Sequence, residues 1–291
     1  MADGSHPPGT SATLVDPGRG GGLLDVMRRR FLLRLLVRKE LRVRYRGSVL
    51  GLFWSYVKPA VQFVVYYFAL GVFLQLSKGI NDFAVYLFSG IVLINFFSEA
   101  FGNATRAVVG NAPLVKKIYL PREMFPVSSL IVATVHLLPQ IGVLMVGAIV
   151  AGWRPSLTAL FFAVLGFAVI ALFSLGLGLL FAAVNVFYRD FENIVDLLLL
   201  VATWASPILY PWTAVRDVVG QGLLLDLYLS NPVTVAVNCF HRAFWYPGSD
   251  QTSELAPIQG PLLVGGTFTL LMVVIGQVVF SRSEGRFAQE L

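Results

Sequence analysis

The ionisable side chains of this chain gather in two places where they could do chemistry. Arg30, Arg34, Arg38, Arg42 and Arg46 recur every four residues, a spacing that keeps cations on one slowly turning stripe of a helix. Such a stripe can hold anions, in the first instance the headgroups of acidic lipids. Further along, Arg189, Asp190, Glu192 and Asp196 fall close together. Paired carboxylates can exchange protons with a substrate. Equally, Arg189 and Asp190 can close a turn as a local ion pair while Glu192 opens the next helix, whose N-terminal dipole favours acids. A third concentration is aromatic: Phe53, Trp54, Tyr56, Phe63, Tyr66, Tyr67, Phe68 and Phe73 crowd one apolar stretch. Trp54 and Tyr56 suit a membrane–water boundary. Tyr66 and Tyr67 fall near the middle of that stretch, where their hydroxyls need partners. Either these rings pack against neighbouring helices, or all four line a path whose flat faces let sugar rings slide.

Other chemistry is missing from the sequence. There is no G-x-x-x-x-G-K-[ST] phosphate loop, no H-E-x-x-H, no nucleophile elbow and no EF-hand loop. His6, His136 and His241 are scattered and Cys239 is the only cysteine, so neither a metal site nor a disulfide is expected. No catalytic residue is assigned. His136, close to Pro139 and Gln140, reads as an interhelical hydrogen-bond partner, as does Glu99. Asp196 lies about a turn inside its apolar stretch and is expected to reach for the surface.

The elements that must position these groups are membrane helices. Apolar stretches of about bilayer length run over Phe53–Leu76, Phe83–Phe101, Val127–Val150, Leu157–Phe187, Ile194–Trp212 and Pro261–Phe280. About 20 helical residues cross a ~30 Å hydrocarbon core, and backbone without water to bond must be helical there. With 56% apolar and 13% charged residues, an all-α polytopic membrane protein with six transmembrane helices is expected. The net charge of +6 does not mean nucleic acid. Seventeen of the 22 Lys and Arg fall on one side of the six stretches, and the positive-inside rule places that side, with both termini, in the cytoplasm. Residues 1–22, rich in Gly, Pro and Ser and without an apolar run, read as a disordered cytoplasmic tail.

Three connecting segments stand out. Residues 23–50 read as an amphipathic helix in the headgroup layer, either an anchor or part of a binding site. The loop 103–121 is longer than a turn requires; Thr105–Val109 is expected as a short helix of its own, broken at Gly110 and Pro113. Residues 217–247 are apolar, but Asp226 and Asn231–Pro232 divide them into pieces too short to span. A re-entrant pair of half-helices is expected between the fifth and sixth spans, as a candidate gate on the extracytoplasmic side. The domains are thus the tail 1–22, the interface helix 23–50 and a transmembrane domain 51–291.

Five stretches carry a resemblance: RYRGSVLGLFWSYVKP from Arg44, NAPLVKKIYLPREMFPV from Asn111, FYRDFENIV from Phe187, SPILYP from Ser206 and NPVTVAVNCFHRAFW from Asn231. In this order they resemble the membrane (permease) subunit of bacterial type-2 ATP-binding-cassette exporters for cell-surface polysaccharides, which serve O-antigen, teichoic acid and mycobacterial-type galactan. The resemblance implies a homodimer in the bacterial cytoplasmic membrane. Two separate ATPase subunits would complete a 2:2 complex and bind ATP and Mg, with no cofactor in this chain. It implies a polyprenyl-diphosphate-linked glycan as substrate, with Arg42, Arg44 and Arg46 as candidates for its diphosphate. It also implies ATPase coupling through Thr105, Arg106, Val108, Val109 and Asn111 and a gate at Asn231, Pro232 and Arg242, while the aromatics Trp54, Tyr56, Tyr66 and Tyr67 are the candidates for a glycan channel. Two alternatives remain beside it: an exporter subunit for a lipid or drug, and a membrane-embedded glycosyltransferase using Asp190, Glu192 and Asp196.

Overall fold

The computed structural model of the protein describes residues 22–48, 51–117, 120–245 and 255–291, and every regular element among them is a helix. Nearly all of the expected tail, part of the loop 103–121 and the last residues of the segment 217–247 lie outside the described residues. Helices α1 (Gly22–Arg28) and α2 (Arg30–Arg44) precede α3 (Trp54–Tyr66), which runs on through a π-helical turn to Phe73. Then come α4 (Phe83–Gly110), α5 (Ala112–Lys117), α6 (Met124–Val150), α7 (Leu157–Phe187) and α8 (Phe191–Trp204). The chain closes with α9 (Trp212–Val219), α10 (Leu223–Ser230), α11 (Pro232–Phe240), α12 (Gln259–Ser283) and α13 (Phe287–Glu290).

Five helical stretches are long and apolar enough to cross a membrane: 56–73, 83–110, 124–150, 157–187 and 259–290. The expected fifth span, Ile194–Trp212, is not one of them. Helix α8 stops at Trp204 after 14 residues, a rise of about 21 Å, because Pro207 and Pro211 each lack the N–H that a helix would need. The irregular chain between them is held from inside the bundle, where the Tyr86 hydroxyl is 2.8 Å from the Pro207 carbonyl oxygen and 2.9 Å from that of Tyr210. The sixth candidate is instead the bent pair formed by α10 and α11, whose axes turn by 68° at Asn231.

That bend follows from local chemistry. The Asn231 side chain accepts a hydrogen bond from the Val233 amide at 3.1 Å, and Pro232 occupies the first helical position, which together start a new helix. Asp226 does not break the segment as expected. It lies in the first turn of α10, where the helix dipole favours it. The preceding break falls at Gly220 and Gly222, with φ of 76° and 155°, values that side-chain-bearing residues rarely adopt.

Helix α4 is the centre of the bundle, with 72% of its most apolar window buried, whereas the first span, at 11%, lies on the periphery. Around α4 a continuous core joins α6, α7 and α11, with Ile91, Leu93, Leu137, Ile170 and Phe240 almost wholly enclosed. A second cluster at the α2 end unites Val26 and Leu36 with Val108, Phe125, Leu179, Phe280 and Phe287. Helices α7 and α12 meet backbone to backbone: a Cβ on Gly276 would sit 2.2 Å from the Gly176 carbonyl oxygen. In lipid, where apolar burial gives little drive, such close van der Waals contact is what joins helices. Leu157, Leu160, Val146, Leu263 and Leu271 point outward, 50–87% exposed; on a bilayer-facing surface that exposure is no liability.

Candidate functional site: a polar cavity between the spans

A cavity of about 550 Å³ opens between α2, α3, α4, α6 and α8. Its walls carry polar side chains at depths where the sequence is otherwise apolar. Glu99 of α4 accepts from the guanidinium of Arg44, at the end of α2. His136 of α6 lies between two partners, its Nδ1 2.6 Å from Glu99 Oε1 and its Nε2 2.7 Å from the Tyr45 hydroxyl. A neutral imidazole satisfies both by donating from Nδ1 and accepting at Nε2. This clamp fastens the end of α2 to two spans.

A second ionic junction stands two turns further along α4. Arg106 donates from Nε to Glu192 at 3.2 Å and from Nη2 to both oxygens of Asp196, at 2.9 and 3.0 Å. The other Glu192 oxygen accepts from the Asn185 side chain at 3.0 Å, so α4, α7 and α8 are tied at one point. Arg106 and Asp196 are about half exposed, at 41% and 58%, so the junction holds geometry more than it adds stability. Three further groups face the cavity uncommitted. Among the described residues nothing bonds the Lys58 ammonium, and the Asn95 amide nitrogen and Gln140 amide oxygen are buried without a hydrogen-bond partner.

Beyond Pro59 and Gln140, which line both, the cavity gives way to an apolar groove of about 450 Å³ between α3, α4 and α6. Phe63, Phe88, Val143 and Leu144 face it, and it runs on to Val150 and Ala151 at the far end of α6.

The sequence-derived candidates distribute unevenly over this geometry. Arg42 and Arg46 are exposed, while Arg44 is committed to Glu99. Thr105–Val109 is not a separate helix; it is the last part of α4, because Gly110 terminates that span and nothing before it does. Thr105 and Val108 are fully buried, Thr105 bonding the Phe101 carbonyl of its own helix at 3.0 Å, and Arg106 faces the acids of α8. The separate short helix is α5, which exposes Pro113, Lys116 and Lys117. Asn111 joins it to the N-terminal helix, accepting from Lys39 Nζ at 2.5 Å and donating to the Ala107 carbonyl at 2.9 Å. The N-terminal helix itself is two helices meeting at Arg29, and it ends at Arg44 rather than running to residue 50.

Of the aromatics, Trp54 lines the polar cavity and Tyr56 the groove. Tyr66 and Tyr67 pack on the core instead, Tyr67 lying 5.8 Å from Phe63 and 6.1 Å from Phe83 between ring centroids. Asn231 and Pro232 shape the helix bend, and Arg242 donates to the Ala256 carbonyl at 2.6 Å while lying over the Phe162 ring. Glu192 and Asp196 are held by Arg106 rather than poised as an acid–base pair. Lys58 and Gln140 were not among the sequence-derived candidates, although a lone polar residue inside an apolar span was signal enough.

Residues 32–245 match the family described as ABC-2 type transporter. This chain belongs to that family. The matched ABC-2 region starts within α2 and ends with the turn after α11, so it contains both ionic junctions and the whole cavity wall. Relatives extend the likeness. The O-antigen export system permease protein RfbA of Myxococcus xanthus is 26% identical over 262 residues, 90% of this chain and 96% of the relative. The protein of the same name from Klebsiella pneumoniae is 31% identical over 183 residues, covering 62% and 68%. The resemblance read from the five motifs therefore holds over almost the full length of this ABC-2 membrane subunit.

Proposed function

We propose that this chain is the membrane subunit of an ATP-driven exporter that moves a polyprenyl-diphosphate-linked polysaccharide across the bacterial cytoplasmic membrane. The observation that carries the reading is the match to an O-antigen export permease over 90% of this chain and 96% of that relative. The polar cavity supports it, since a route for a sugar chain needs hydrogen-bonding walls at membrane depth. Because the sequence contains no phosphate loop, ATP and Mg are assigned to a separate ATPase subunit, two of which join two copies of this chain. The α2 end, which carries most of the basic residues, is placed in the cytoplasm with both termini.

In this reading α5 meets the ATPase, presenting Pro113, Lys116 and Lys117 rather than Thr105 and Val108. Asn111 behind it is bonded to Lys39, so a push on α5 is passed to α2 and through Arg44 to Glu99 and the cavity. The test is affinity purification of the tagged chain from its native membrane in mild detergent, followed by reconstitution. Recovery of a phosphate-loop ATPase at about equal amounts, with ATP-dependent movement of lipid-linked glycan, is the expected result. A chain that copurifies with no ATPase and supports no export overturns the reading.

A further inference from the structure

We propose that the polar cavity and the apolar groove form one binding site for a polyprenyl diphosphate, the lipid end of the exported molecule, with the diphosphate at Lys58 and Asn95 and the chain between α3, α4 and α6. The inference rests on the export reading and places its substrate within the subunit instead of along the exposed arginine row.

The charge inventory selects an anion. The cavity walls carry the cations Arg44, Lys58 and Arg106 and the carboxylates Glu99 and Asp196. Glu99 is taken by Arg44 and Asp196 by Arg106, which leaves the Lys58 ammonium as the cation with no carboxylate among the described residues. Asn95, in the lining of the same cavity, adds an unsatisfied N–H donor. A buried donor without a partner is costly, and phosphate oxygens satisfy both groups at once.

The groove selects the rest of the ligand. It shares Pro59 and Gln140 with the polar cavity, so a molecule with an anionic head and a hydrocarbon tail fills both without a break. The order of the two parts also fits. Arg44 and Arg106 mark the α2 end, and the groove runs away from it toward Val150 and Ala151. A lipid in the leaflet on the α2 side has its head and tail in that sequence.

The structure supplies a way to close the groove without disturbing the fold. Gly147 lines it, and a Cβ added there meets nothing within 4 Å. Wild type, Lys58→Gln and Gly147→Leu are compared in phosphatidylcholine nanodiscs, using farnesyl diphosphate with a photoreactive group at the tail terminus, and the matching uncharged alcohol. Wild type is expected to crosslink within residues 84–88 or 143–151. Lys58→Gln is expected to weaken the diphosphate by about tenfold, the worth of one charge-assisted hydrogen bond, and to leave the alcohol unchanged. Gly147→Leu should weaken both while melting like wild type. Unchanged affinity in both variants, crosslinks confined to other segments, or equal displacement by phosphatidylglycerol would overturn the site, the last by making it a seat for ordinary phospholipid. Glycan export by wild type with its ATPase is scored separately: export with a failed site sinks only the site, and no export sinks the reading beneath it.

Discussion

His136 shows how much a single side chain can be asked to join. It is 2% exposed by its side chain and bonded on both ring nitrogens, to Glu99 and to Tyr45. His136→Ala removes both bonds and leaves Glu99 with Arg44 alone, for a loss of about 1–3 kcal/mol. A lower unfolding midpoint in detergent, with the hydrophobic spans still inserted, is the expected observation. Arg106→Gln should behave differently. Its ion pairs are two-fifths exposed, so the stability change is about 1 kcal/mol or less. The effect belongs in transport, because α8 is no longer held against α4, and initial export rates in reconstituted vesicles report it. The contrast was not readable in sequence. Each polar residue was visible as an anomaly in an apolar run, and Glu99 and His136 were recognised as interhelical partners. That they are partners of each other, across 37 residues, depends on which faces α4 and α6 turn together.

At the scale of the element, close backbone contact sets which helices can pair. Gly276→Leu would drive a side chain into the Gly176 carbonyl and force α7 and α12 apart, a cost of at least about 1–3 kcal/mol. Gly266→Leu on the same helix is the control, since a Cβ there meets nothing within 4 Å. Only the first is expected to lower the yield of folded protein by fluorescence-detected gel filtration. Helix α5 makes a second test. Reversing Lys116 and Lys117 to Glu should reduce copurification of the ATPase in a salt-dependent manner while the detergent melting point stays put, because both residues are exposed. Pro substitution within Thr105–Val109 would instead damage α4 itself, and the loss would appear in folding before coupling. Boundaries of this kind escaped the sequence reading because Gly110 and Pro113 mark a break without showing that the residues before it continue a span.

For the whole molecule, the two ends of the bundle differ in kind. The α2 end is laced by ion pairs, by the Lys39–Asn111 bond and by its own apolar cluster, whereas α9 and α10 at the other end rest on a small cluster around Leu225 and Leu229. Movement imposed at α5 is therefore expected to travel through α2 as a unit, and release at α9 and α10 to need little energy. Hydrogen exchange in nanodiscs should show the segment 212–230 opening well before 91–108. Reporter fusions at the two termini address the orientation: cytoplasmic activity at both is expected, with the bent α10–α11 pair crossing as the sixth span, and opposite sides would mean that only the five long helices cross.

Composition and hydropathy alone determined that this is a helical membrane protein, because a bilayer admits few other solutions for runs of such length. Motif order likewise carried the family. Both are properties of the chain read locally, and neither needs a distance. The tertiary structure decided everything that depends on which helix faces meet: the broken course of 204–212, the commitment of Arg44 and Arg106 to carboxylates, the packing of Tyr66 and Tyr67 against the core, and the lack of a carboxylate for Lys58 among the described residues. A polar side chain in an apolar helix advertises that it needs a partner, but the partner lies on another helix, and only packing determines which one arrives.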